Sequence, residues 1–117
     1  MDIDAVHEWA ELLKALGHPT RLQIVIELLK GIKCVTDIQE ILPASQSNIS
    51  QHLTVLRNAR LVDFAQDGAQ RCYYVSRPRL AEGVIALLDA GEQALRKSKA
   101  EINPHKQSAG GACCVRK

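Results

Sequence analysis

Two short segments with helical apolar spacing, separated by Pro43, limit the fold of this chain more than any other feature. Residues 35–42 repeat apolar side chains at helical spacing, and Pro43 ends the segment because proline cannot continue a helix. The second segment follows Ser45, a predicted N-cap, and has apolar residues at Ile49 and four and seven positions later. Two short helices joined by so tight a turn predict a helix-turn-helix.

The surrounding sequence predicts more helices and a β-hairpin. Apolar spacing indicates helices over residues 5–16 and 19–30, and a last helix that starts at Pro78 and runs to about Lys97. Residues 61–66 and 71–76 read as two strands around a glycine-containing turn, which predicts a hairpin wing. The predicted fold class is therefore mainly α with a small β-hairpin, a winged helix-turn-helix.

Length and composition fit one folded domain with an aliphatic core. The chain has 117 residues, of which 46% are hydrophobic but only 3% aromatic, a balance that favours helices over a sheet sandwich. We expect the winged domain to span residues 1–98. Residues 99–117 are predicted to form a flexible basic tail, because they are polar, contain glycine and a cysteine pair, and lack periodicity.

The N-terminal region and the apolar runs predict a cytoplasmic protein without a membrane partner. Four of the first eleven residues are acidic, and no apolar run approaches the length of about 18 residues that a spanning helix needs. In a reducing compartment, the four cysteines are expected to be thiols for metal or redox chemistry rather than a disulfide framework.

Net charge alone does not indicate a nucleic-acid partner. The formal charge is +2, but the part from Arg96 onward has six Lys/Arg against Glu101, which leaves the first 95 residues at −3. The outward side of the helix after Pro43 points to DNA more directly. It is uncharged and rich in Ser, Gln and Asn, whereas a merely solvated side usually carries Lys and Glu.

Side chains of these types suit a double-stranded DNA operator. Gln and Asn pair with adenine through two hydrogen bonds, Ser and His contact bases or phosphates, and Arg contacts the backbone. The candidate base-contacting residues are Gln46, Ser47, Asn48, Ser50, Gln51 and His52, and the candidate backbone contacts are Arg57, Arg60 and Arg71.

Three segments together resemble the ArsR/SmtB family of metalloregulatory repressors. They are Ala-Leu-Gly-His-Pro-Thr-Arg-Leu-Gln-Ile-Val at 15–25, the stretch 45–62 around Ser-Asn-Ile-Ser-Gln-His-Leu, and Gln-Arg-Cys-Tyr-Tyr at 70–74. The resemblance implies a homodimer joined through the first and last helices. It also implies binding to an imperfect palindrome, with two recognition helices about one DNA turn apart, and release by an inducer.

The resemblance also directs attention to the cysteines. Arsenite-sensing and lead- or cadmium-sensing members begin the third helix with Glu-Leu-Cys-Val-Cys-Asp-Leu, whereas residues 32–38 here read Ile-Lys-Cys-Val-Thr-Asp-Ile. Only the first cysteine of that motif is present, as Cys34, so further thiolates would come from Cys113, Cys114 or Cys72. Trivalent arsenic prefers three thiolates, and arsenite or antimonite is the expected inducer, with no obligatory cofactor.

Other functions stay open at this point. The same repressor could respond to cadmium or lead, or to sulfide or an oxidant through cysteine oxidation, although residues 78–98 lack the second cysteine that such members use. A zinc site in the last helix is disfavoured because the polar residues there include no histidine. A thiol-rich metal carrier is a further alternative. No catalytic pattern stands out, so we expect no enzyme activity.

Overall fold

The computed structural model describes residues 2–102, and the predicted Cys113–Cys114 pair lies outside them. The elements in chain order are α1 (Ile3–Leu16), α2 (Pro19–Leu29), β1 (Lys33–Cys34), α3 (Val35–Ile41), α4 (Gln46–Asn58), β2 (Val62–Asp67), β3 (Gln70–Val75) and α5 (Pro78–Asp89). This order confirms the mainly helical fold with a hairpin. Among residues 2–102, no helix has the length and apolar character needed to cross a bilayer.

The hairpin belongs to a three-stranded antiparallel sheet of order β1-β3-β2. Val62 pairs with Val75 and Asp67 with Gln70, which sets the register of the predicted wing. Strand β1 was not predicted. It has two residues, Lys33 and Cys34, and it pairs with β3 immediately before α3 begins. The helix-turn-helix and the wing therefore share a sheet.

The core lies between α1, α2, α3, α4 and the base of the sheet, and α5 adds Ala81 to it. The predicted inward residues of α4 are fully buried, and Leu61 and Val62 join them from the entry to the wing. Removing this aliphatic surface from water is the main favourable contribution to folding. The buried residues are Leu12, Ala15, Leu16, Ile24, Val25, Leu28, Ile38, Leu42, Ile49, Leu53, Leu56, Leu61, Val62, Tyr73 and Ala81.

Helix α4 ends in a turn that fixes the direction of the wing. Arg60 has a φ of 63°, in the left-handed region, and the N–H of Leu61 donates to the carbonyl of Leu56 over 3.0 Å. This is the hydrogen-bonding pattern of a Schellman motif, in which glycine is the usual left-handed residue. Here arginine occupies that position, so the turn stores a small amount of backbone strain.

The last helix is shorter than the sequence predicts. Helix α5 ends at Asp89 rather than near Lys97, because Gly91 adopts a left-handed φ of 68° and its N–H bonds back to the carbonyl of Leu88. The chain is helical again from residue 99 to the last described residue, 102, and Ser98 and Glu101 exchange hydrogen bonds between side chain and backbone. The periodicity did not reveal this break, since Leu95 continued the apolar spacing.

Candidate nucleic-acid interface

Helix α4 is fixed at its start by a side-chain cap and along one side by the core. The Ser45 hydroxyl accepts a hydrogen bond from the backbone N–H of Asn48 at 3.1 Å, as the sequence predicted. Ile49, Leu53 and Leu56 are completely buried. The helix is therefore held in a defined rotation, which determines the side chains that it presents outward.

The predicted base-contacting residues occupy the outward side and its two flanks. Gln46, Ser47, Asn48 and Gln51 are exposed, and Ser50 is half-buried. At 100° per residue, Ser47 and Gln51 lie opposite the buried side, while Gln46 and Ser50 lie on the flank nearer the wing. The side chains of α4 opposite the buried side are thus uncharged hydrogen-bonding groups, which can pair with base edges in a major groove.

A cleft of about 530 Å³ separates α4 from the wing. Gln46, Ser50 and Thr54 line one wall at successive turns of the helix. The wing contributes the opposite side with Gln66, Ala69, Gln70 and Arg71. Thr54 was missed by the sequence reasoning, although its position four residues after Ser50 was the available signal. Its hydroxyl donates to the carbonyl of Ser50 at 3.0 Å. Cys34 also lines this cleft.

Two of the predicted backbone-contacting arginines meet at one aromatic ring. The guanidinium carbons of Arg57 and Arg71 lie 4.5 and 4.4 Å from the centroid of Phe64. Arg57 also pairs with Asp63 at 3.1 Å. The N–H of Phe64 and the Arg57 guanidinium lower the pKa of Asp63, so this carboxylate remains charged and offsets the charge of Arg57.

Arg71 keeps its positive charge available. It is exposed, lines the cleft, and has no ion pair among the residues that the structure describes. The Phe64 ring restricts its side chain by a cation–π contact. This ordered but unneutralised guanidinium lies one residue pair from the turn of the wing and suits a phosphate oxygen.

His52 differs from the other members of the predicted set. It is half-buried, its ring centroid lies 4.5 Å from that of His18, and its Nδ1 is 3.4 Å from Nη1 of Arg21. Partial burial, then the nearby His18 and Arg21, lower its pKa below 6.5. These contacts join α4 to α2, so His52 has a packing role, and its contact with DNA stays a prediction.

Cys34 caps the first helix of the helix-turn-helix. Its thiol lies 3.0 Å from the Thr36 hydroxyl and 3.1 Å from Oδ2 of Asp37, and its backbone N–H donates to the same carboxylate at 3.0 Å. Both hydrogen bonds from Cys34 lower the pKa of Asp37. Sequence position thus correctly located Cys34 at a helix start, but the Asp37 contacts were not foreseen.

The structure brings together two of the four candidate metal ligands. Cys34 and Cys72 face each other as a residue pair of the β1–β3 ladder. Among residues 2–102, no group of three Cys, His, Asp or Glu side chains is arranged to hold a metal ion. Cys113 and Cys114 lie outside the described residues, so the predicted three-thiolate site stays a prediction.

Comparison with known proteins identifies the family. The profile described as "Bacterial regulatory protein, arsR family" matches residues 18–63, which run from the cap of α2 to the first residues of the wing. The transcriptional repressor PagR of Bacillus anthracis is 42% identical over 81 residues, covering 68% of this chain and 80% of PagR. PagR is named as a transcriptional repressor and not as an enzyme, in agreement with the prediction that this chain has no enzyme activity.

Another relative is the HTH-type transcriptional repressor SmtB of Mycobacterium tuberculosis, 36% identical over 86 residues. That match covers 73% of this chain, which spans 64% of the length of SmtB. The crystal structure of PagR superposes with a TM-score of 0.66 at 39% identity, covering 74% of this chain and 99% of PagR.

The homodimeric winged helix-turn-helix domain Mb0332 of Mycobacterium bovis superposes with a TM-score of 0.70 at 23% identity, covering 79% of this chain and 92% of Mb0332. This chain and Mb0332 therefore have the same fold. The chain therefore belongs to the ArsR/SmtB family of winged helix-turn-helix transcriptional repressors.

Proposed function

We propose that this protein is a homodimeric transcriptional repressor that binds a palindromic operator and is released by a thiophilic inducer. The observation that carries the proposal is the outward side of α4, where Ser47 and Gln51 protrude from a helix anchored by three fully buried residues. Beside it, Arg71 supplies an unneutralised charge for the DNA backbone. Base contacts come from α4, and phosphate contacts come from the wing.

Dimerisation is supported by apolar side chains that the protomer leaves uncovered. Trp9 and Leu13 of α1 are 47% and 61% exposed, and Leu87 and Leu88 of α5 are 77% and 63% exposed. Apolar surface of this kind on a small domain marks an interaction site. The Mb0332 domain, which has the same fold, is described as homodimeric. A second copy that covers these two helices would place two α4 helices on successive half-sites.

For the inducer we propose trivalent arsenic, supplied as arsenite or antimonite and bound by cysteine thiolates. Cys34 supports this choice because it is a free cysteine at the start of α3 and is one of the residues that line the cleft between α4 and the wing. Cys72, Cys113 and Cys114 are the candidates for the remaining ligands. Cadmium or lead would use the same thiolates, and titration with each ion separates these inducers.

The decisive experiment measures binding of the full chain to the promoter upstream of its own gene and to a random duplex of equal length. We expect at least a hundredfold preference for the promoter at moderate salt. Gln51→Ala should reduce that preference, whereas Gln93→Ala, the matched change outside α4, should not. Equal binding to both duplexes would overturn the proposal.

Arsenite tests the inducer separately. Addition of arsenite should weaken operator binding by about 5- to 150-fold, the usual range of coupling between two sites. The double variant Cys113→Ser with Cys114→Ser should bind DNA normally and lose this response. If arsenite leaves the operator affinity unchanged, arsenic is not the inducer, and full induction of the double variant would show that the tail pair is not required.

A further inference from the structure

A second cleft, with a volume of about 600 Å³, opens where α4 ends and the wing begins. Arg57, Arg60 and Arg77 are among the residues that line it, and Asp63 is the single carboxylate residue in the described part of this lining. The formal charge of the lining is therefore +2, although the first 95 residues of the chain together carry −3. Positive charge is thus concentrated at a place apart from the cleft that Arg71 lines.

Arg60 differs from the other two arginines of this cleft because no carboxylate offsets its charge. Arg57 is paired with Asp63 at 3.1 Å, and Arg77 is paired with Glu8 of α1 at 3.4 Å. Within the part of the chain that the structure describes, Arg60 has no ion pair, and it is exposed. Its guanidinium is therefore the charge of this cleft that is available to an anion.

The backbone at Arg60 has a conformation that suits glycine better than arginine. Its φ of 63° lies in the left-handed region, where a side chain is unfavourable. The turn is held by neighbouring contacts, since the Ser76 hydroxyl donates to the carbonyl of Arg60 at 3.0 Å and the N–H of Arg60 donates to the carbonyl of Arg57 at 2.9 Å. Residues kept in such conformations concentrate at binding sites. The strain favours a role for the side chain, because glycine would serve the turn alone better.

We propose that Arg60 forms a phosphate site at the end of α4 and there binds a backbone phosphate of the operator. This inference rests on the proposed repressor function and adds a second backbone contact, apart from Arg71 of the wing. A guanidinium presents several N–H donors in one plane, an arrangement that matches the oxygens of a phosphate. Asn58 is exposed and also lines the cleft, and its side-chain amide can donate a further hydrogen bond.

Helix geometry brings this site to the DNA backbone when α4 occupies the major groove. Asn58 follows Ser47 by eleven residues, so at about 100° per residue the two lie on nearly the same side of the helix. At about 1.5 Å per residue they are about 16 Å apart along the axis, more than the major-groove width of about 12 Å. A helix that presents Ser47 to base edges and crosses the groove therefore ends at the edge of the groove, where the phosphates lie.

The test compares three replacements of Arg60 in the full chain by anisotropy titrations with operator DNA. Arg60→Gln should make the slope of log K against log salt concentration shallower by about 1.8 in a dimer, and Arg60→Lys, which keeps the charge, should restore it. Arg60→Gly should have the same shallower slope and yet unfold at a higher urea concentration, because glycine suits the φ of 63°. A loss of DNA affinity together with a gain of stability is not expected of a residue with only a structural role.

Two comparisons make the result specific to this site. Arg79→Gln removes the same charge from an exposed residue of α5 that does not line the cleft, and it should leave the slope almost unchanged. Arg60→Gln should weaken binding to the operator and to a random duplex by the same factor, because a phosphate contact carries no sequence information. Equal slope changes in Arg60→Gln and Arg79→Gln would overturn the proposal, as would a slope that Arg60→Lys does not restore.

The same measurements separate this inference from the proposed function. If the protein prefers the operator but its salt slope does not depend on Arg60, the repressor function stands and the phosphate site fails. If the slope depends on Arg60 but no duplex is preferred, the phosphate site stands and the repressor function fails. Saturable binding of inorganic phosphate that is lost in Arg60→Gln, with an unchanged DNA slope, would overturn the assignment to the operator in favour of a free anion.

Discussion

Replacement of Arg71 by glutamine should change the salt dependence of operator binding in a way that can be calculated. Each protein cation that neutralises a DNA phosphate contributes about 0.9 to the slope of log K against log salt concentration. A dimer carries two Arg71 side chains, so the variant should have a slope shallower by about 1.8. Between 50 and 200 mM salt, the loss of affinity should then be about 12-fold smaller than in the unmodified protein.

The structure supplies two matched comparisons for this measurement. Arg57 contacts the same Phe64 ring but is already paired with Asp63 at 3.1 Å, so Arg57→Gln should change the slope less than Arg71→Gln. Lys14→Gln removes an equal charge from the last turn of α1, outside the cleft, and should leave the slope almost unchanged. Anisotropy titrations at four or more salt concentrations measure all three slopes.

The reasoning depends on Arg71 being an ordered charge without a carboxylate partner. It is refuted if the Arg71→Gln slope equals that of the Lys14→Gln protein. A slope change in Arg57→Gln larger than that in Arg71→Gln would also contradict it, because the Asp63 ion pair would then fail to compete with phosphate. Either outcome would mean that Arg71 of the wing does not make the main backbone contact.

Three further predictions concern stability. Arg60→Gly should raise the free energy of unfolding, measured by urea titration, by about 0.5–1 kcal/mol, because glycine tolerates the left-handed φ of 63°. Asn58→Gly is the control: Asn58 is helical, so this change should lower the free energy of unfolding by a similar amount. Leu53→Ala should cost about 2–5 kcal/mol because Leu53 is fully buried, against about 0.5 kcal/mol or less for the partly exposed Val55→Ala. The pKa of His52 is lowered in the folded protein by partial burial and by the nearby His18 and Arg21. As the pH falls through 6.5, His52 is therefore protonated in the unfolded chain before it is protonated in the folded one. The free energy of unfolding should therefore decrease below pH 6.5, and this decrease should be smaller in the His52→Gln variant. The His7→Gln variant, changed at an exposed histidine, should show the same decrease as the unmodified protein.

Local signals in the sequence were sufficient to predict helix α4. The Ser45 cap, the break at Pro43 and the apolar spacing from Ile49 all concern residues within one or two helical turns of each other. Periodicity then separates the buried side from the polar side, because helix rotation is set by which residues must leave water. The predicted outward residues are exposed or half-buried in the structure, with His52 directed toward α2.

Features that depend on contacts between distant segments were not predictable in this way. Strand β1 has only two residues, too few for any alternation, and it exists because β3 supplies its hydrogen-bonding partners. The shared Phe64 ring of Arg57 and Arg71 likewise depends on the angle between α4 and the wing. The early end of α5 was missed because the apolar spacing continues past Gly91 to Leu95.

The two-residue strand has a consequence for how a signal reaches DNA. Cys34 is both the last residue of β1 and the cap of α3, and α3 packs its buried Ile38 against the core that holds α4. The wing strand β3 therefore cannot move relative to β1 without stretching the ladder or disturbing the start of α3. The Cys34–Cys72 residue pair is thus the point where the wing and the helix-turn-helix are connected.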